Sequence, residues 1–199
     1  MKRLLALLAV AAACVGLLAA PASAERVTGR DARADVARED ADDLAMTRVR
    51  RPSVDVVRYV LRYDERRFTA ELHLADLRPV GRRFTVAAFL TSPSWRESGS
   101  VPLVVTANRA NRAGSSRLLG APSCRTTHRI DYRRDLVRVS MPARCLATPR
   151  VLDVSLLTHV AVGERAWFYD VAPGGYRRLA DEDDDEGRYI RVRRGEVSR

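Results

Sequence analysis

Past Lys2 the chain has no lysine, and it carries only three histidines and three cysteines. Each scarcity removes a kind of chemistry. His73, His128 and His159 stand alone, with no His-x-His or His-Glu-x-x-His pair, so a zinc site would need three separate strands to converge. There is no Gly-x-Ser-x-Gly elbow; Arg96-Glu97-Ser98-Gly99 and Gly114-Ser115-Ser116 are ordinary loop compositions. A serine mechanism would also have to draw its base from those three histidines, and His73 falls on the polar face of its segment. Beyond residue 20 no hydrophobic run approaches spanning length, and no long helical period occurs.

What is present begins with an export signal. Lys2 and Arg3 form a positive n-region, Leu4–Ala20 an apolar h-region, and Pro21-Ala22-Ser23-Ala24 a small-x-small cleavage site. Residues 1–24 therefore read as a signal peptide, with a mature chain starting near Glu25 and secreted, free or associated with the cell wall. Cys14 lies inside the h-region; the competing lipoprotein reading would make it the lipidated residue. Cys124 and Cys145 remain as an even pair in an exported chain, which predicts a disulfide closing a loop of about twenty residues, worth about 3 kcal/mol on the chain-entropy account.

The formal net charge is +10. A basic exported protein can adhere to anionic wall polymer or acidic polysaccharide. Its arginines are spread among acidic residues, however, and a GC-rich coding sequence yields such a composition with no ligand in view. No specific nucleic-acid partner is expected.

Residues 25–52 are polar and charge-mixed, and read as a flexible lead-in with at most an edge strand around Val36. From Pro52 the apolar period becomes two. Val54–Tyr63 places Val57, Tyr59, Leu61 and Tyr63 on one face, and Phe68–Leu74 alternates with Phe68, Ala70, Leu72 and Leu74 inward. Phe84–Thr91 is apolar on both faces, as a central strand is. Further strands are predicted over Val101–Thr106, Arg117–Leu119, Thr127–Tyr132, Leu136–Met141 and Val151–Val160, with Ala166–Val171 a further apolar segment, Tyr189–Arg193 a candidate last strand and a mobile excursion over Asn108–Ser116. Eight or nine short strands between turns predict an all-β antiparallel sandwich, jelly-roll or Ig-like, over residues 53–193. The disulfide would tie the two ends of one hairpin.

The run Asp55-Val56-Val57 through Leu61-Arg62-Tyr63, its following turn and strand, and Cys124…Asp135-Leu136-Val137-Arg138-Val139-Ser140-Met141-Pro142…Cys145-Leu146 resemble small exported β-sandwich proteins of high-GC Gram-positive bacteria. Those motifs mark strands and turns, so the resemblance implies fold and compartment and carries no activity.

Two sites merit weighing. Asp181, Asp183 and Asp185, in the acidic loop 181–186, alternate like the start of a calcium loop, but Gly187 is misplaced and the closing bidentate acid is absent; a solvated charge run is the favoured reading. Trp95, in a loop, could present a flat face to a sugar ring, whereas Trp167 reads as packing. Glycoside hydrolysis needs two placed carboxylates, and with 25 acidic residues some pair always qualifies. The expectation is a secreted, non-catalytic binding or structural module without a cofactor, partnered by polysaccharide, anionic wall polymer or protein. The runner-up is an extracellular glycan-acting hydrolase.

Overall fold

A computed structural model describes residues 25–41, 43–78, 82–95, 99–163, 165–174 and 189–195. Residues 1–24, read as a signal peptide and including Cys14, and the acidic run with Asp181, Asp183 and Asp185 lie outside them. The strands are β1 (Glu25–Arg30), β2 (Val36–Asp40), β3 (Asp43–Val49), β4 (Val56–Tyr63), β5 (Arg67–Leu74), β6 (Arg83–Thr91), β7 (Val101–Ala107), β8 (Ser115–Leu118), β9 (Thr127–Asp131), β10 (Leu136–Pro142), β11 (Val151–Val162), β12 (Ala166–Ala172) and β13 (Ile190–Arg193). One 3-10 turn, Ala143–Leu146, follows β10. No helix among the described residues is long and apolar enough to cross a membrane.

Two antiparallel sheets form the sandwich. One runs β1-β4-β5-β10-β9; the other runs β3-β2-β12-β11-β6-β7-β8, with β13 also paired to β11. The all-β sandwich expected from the alternation is present. β6, apolar on both faces, lies inside the larger sheet between β11 and β7, while β11 buries Leu152, Val154, Leu156 and Val160 and turns Asp153 and His159 to its other face. The core is filled from inward positions such as Tyr63, Phe68, Leu72, Phe84, Leu90, Leu103, Met141 and Leu156. Each such side chain contributes about 1.5–3 kcal/mol of burial.

Residues 25–49 correct the expected lead-in. They supply three strands: β1 edges the smaller sheet, while β2 and β3 extend the larger one. Val36 and Ala37 are fully buried, and Val36 belongs to the core. Short alternations interrupted by charge concealed these strands, because β1 packs only half of its face. From Val56 onward ten strands appear where eight or nine were expected.

Val57 is a second correction. The β4–β5 register shifts between Val56 and Arg58, so Val56 turns inward and Val57 is only half-buried, after which Tyr59, Leu61 and Tyr63 resume the core face. A bulge inserts one residue and reverses the parity before it, which period-two counting cannot detect. Gly29, opposite Tyr59, lets the Tyr59 ring lie over β1; a Cβ there would stand 2.1 Å from that ring.

The disulfide joins Cys124 and Cys145 with a Cα–Cα distance of 5.9 Å, and it clips the outer ends of the β9–β10 hairpin. The Asn108–Ser116 segment is a hydrogen-bonded turn: Asn108 Oδ1 accepts from the Asn111 N–H at 2.7 Å, and Asn111 Oδ1 from the Gly114 N–H at 2.9 Å. Gly114, at φ +79°, holds the left-handed conformation that turn requires.

Candidate functional site

Four aspartates meet where the chain crosses between the sheets. Asp31 follows β1 and Asp35 precedes β2, so the short loop 31–35 carries the chain from the smaller sheet to the larger. Asp55 precedes β4, and Asp170 lies within β12. Asp170 sits two residues beyond Phe168, at a buried position opposite Thr158 on β11. Alternation would place an apolar side chain there.

The local backbone explains this polar insertion. Chain entering β4 passes between the sheets, and its main-chain groups need partners. Thr158 Oγ1 donates to the Val54 carbonyl, and Asp170 Oδ2 accepts from the Val56 N–H at 2.6 Å. Asp55 Oδ2 accepts from the Ala34 N–H at 2.9 Å, and Asp31 Oδ1 from the Gly174 N–H at 3.2 Å.

Those bonds use one oxygen from each of three carboxylates. Asp31 Oδ2, Asp35 Oδ1, Asp55 Oδ1 and Asp170 Oδ1 are buried with no hydrogen-bond partner among the described residues. Asp170 is fully buried, and Asp55 and Asp35 are 3% and 6% exposed. Burial pushes the Asp170 carboxyl up to about 8, and repulsion from Asp31, Asp35 and Asp55 adds to it against the Val56 hydrogen bond. Burial likewise pushes Asp31 up to about 6 and raises Asp35 and Asp55. One oxygen from each of Asp31, Asp35 and Asp170 lies within 4.8 Å of the others. This all-oxygen set could hold a hard divalent cation.

A different surface opens where β6 begins and β7 and β11 end. A cleft of about 610 Å³ is lined by Arg51, Arg82, Asn108, Arg109, Ala110, Val162 and Gly163. A neighbouring cleft of about 290 Å³ is lined by Arg83, Thr106, Ala107, Asn108, Asn111, Ser115 and Arg117. They share Asn108, and their described lining residues include five arginines and no carboxylate. The Arg51 guanidinium lies 4.3 Å from the centre of the Phe168 ring, a stacking contact that orients its fork.

Trp95 is half-buried and packs against the core beside an apolar recess of about 290 Å³, shared with Val101, Leu119, Ala121, Cys145 and Leu146. The described lining residues of the recess include no second aromatic side chain. Trp167, read as packing, is half-buried and stands outside the core cluster; Phe168 fills the core from β12 instead.

The histidines do not converge. His73 lies in β5, His128 in β9 and His159 in β11, and the single group of metal-ligating side chains found among the described residues contains none of them. His159 stacks on Tyr169 at 4.8 Å. Burial, then Arg83, lowers its pKa. His128 Nδ1 lies 2.9 Å from Ser116 Oγ, and Nε2 lies 2.9 Å from the Ala113 carbonyl. This serine–histidine contact escaped sequence reasoning, because its members belong to separate strands. It joins the edge strands β8 and β9 of the two sheets, and a carbonyl stands where a triad would have a carboxylate.

No protein-family model matches the chain, and no curated protein is similar to it.

Proposed function

We propose that this chain is an exported, non-catalytic binding module that captures an anionic extracellular polymer, such as a wall polymer or acidic polysaccharide, in the adjoining arginine clefts. The observation that carries this reading is the lining: Arg51, Arg83, Arg109 and Arg117 with Asn108, and no acidic side chain among the described lining residues. Guanidinium forks match phosphate and carboxylate oxygens two at a time, and their charge persists at every physiological pH. Asn108 and Asn111 add neutral donors and acceptors suited to sugar hydroxyls.

Export is supported by the leader-like residues 1–24, by the Cys124–Cys145 bond, which suits an oxidising compartment, and by the resemblance to exported sandwiches. A glycan hydrolase requires two carboxylates flanking the scissile bond, and the described lining residues of both clefts include none.

Sedimentation of the mature protein with insoluble phosphate-bearing wall polymer, beside a neutral glucan, tests the reading. Retention on the first alone, with the polymer recovered at unchanged length, is expected. Equal retention on both, or shortened polymer, would contradict it.

A further inference from the structure

We propose that Asp31, Asp35 and Asp170, backed by Asp55, form a calcium site that clamps the β1–β2 crossover to β12 and so locks the two sheets together at that end. Acidic clusters are common on protein surfaces; this one is distinguished by burial. Asp170 has no exposed surface, and its Oδ1 has no hydrogen-bond donor among the described residues. Asp35 is nine-tenths buried with Oδ1 in the same state. The remaining oxygens of Asp31 and Asp170 are held by main-chain N–H groups, which fixes those carboxylates.

The dimensions suit one ion. Ligands at about 2.3–2.6 Å from calcium can stand up to about 4.6–5.2 Å apart across it, and the three oxygens lie within 4.8 Å of one another. The donors are all oxygen, which disfavours zinc, and their irregular arrangement suits calcium better than octahedral magnesium. Asp31, partly exposed where the others are buried, gives the ion its route in. Around the cluster the nearest cations, Arg33, Arg48 and Arg50, act on Asp55 and Asp35 through space and donate to none of the unpartnered oxygens.

The test uses the mature protein at pH 7.5, titrated with calcium after chelator treatment and followed by melting temperature and by terbium luminescence sensitised through nearby tyrosines. Calcium should raise the melting temperature by several degrees with a millimolar or submillimolar midpoint, as extracellular sites do, and magnesium should do so more weakly. Asp170→Asn and the rim variant Asp31→Asn should each weaken terbium and calcium binding at least tenfold, while Asn at Asp181, Asp183 and Asp185 should leave it unchanged. If Asp170→Asn does not fold, Asp31→Asn decides. Identical melting in calcium and chelator with no luminescence overturns the proposal. So does calcium binding lost only on changing Asp181, Asp183 and Asp185.

Discussion

Asp170 Oδ2 accepts the Val56 N–H at 2.6 Å, joining β12 of the larger sheet to the first residue of β4 in the smaller one. Val56 is also where the β4 register slips, so the carboxylate holds the main chain at its bulge. Asp170→Ala would leave that buried N–H unpaired, at a cost of about 1–3 kcal/mol. Asp170→Asn keeps an acceptor. In chelator at neutral pH the alanine variant should therefore melt below the asparagine one.

The same aspartate sets the response to pH when cations are removed. In the folded chain Asp170 titrates at about 8 and Asp31 at about 6, against an ordinary 3.8. The native state thus holds protons that the unfolded chain releases. Stability from these groups is fully present below about 4 and is lost as pH rises through about 6 and then about 8. Asp35 and Asp55 face them and share the trend, opposed by Arg33, Arg48 and Arg50. Melting curves in chelator should fall across that window, and Asp170→Asn should flatten its upper half.

Thr158 Oγ1 donates to the Val54 carbonyl from a fully buried position. Thr158→Val preserves shape and removes the donor, so denaturant unfolding should show a loss of about 1–3 kcal/mol with an unchanged slope. Unaltered stability would mean that another donor takes the carbonyl.

Reduction of Cys124–Cys145 frees the ends of the β9–β10 hairpin. The expected cost is about 3 kcal/mol, a fall of several degrees in melting temperature. Unfolding with and without reductant measures it directly.

Gly114→Ala places a Cβ 2.8 Å from the Thr106 carbonyl at φ +79°. A destabilisation of about 1–3 kcal/mol is expected from the strained turn. Because Asn108 and Asn111 belong to that turn and line the basic clefts, polymer binding should weaken as well.

Much of the sandwich was legible from Pro52 onward because half-buried strands write their burial as alternation. Phe68, Ala70, Leu72 and Leu74 face the core as that pattern implies. Val57 was misplaced because a bulge changes parity without leaving a compositional mark. Strands β1 to β3 were hidden by their charges, and the acidic cluster by its spacing: Asp31 and Asp170 are brought together only by sheet topology. The arginine clefts were invisible for the same reason, since Arg51, Arg83 and Arg117 come from three unconnected stretches.

The most direct measurement is the affinity of the mature protein for a soluble phosphate-bearing wall polymer across a salt series, beside an Arg51→Ala, Arg109→Ala, Arg117→Ala variant. Binding that falls steeply with salt, and a variant at least tenfold weaker with a shallower salt slope, is the expected result. Salt-independent binding, or a variant as tight as the parent, would contradict the assignment of these clefts.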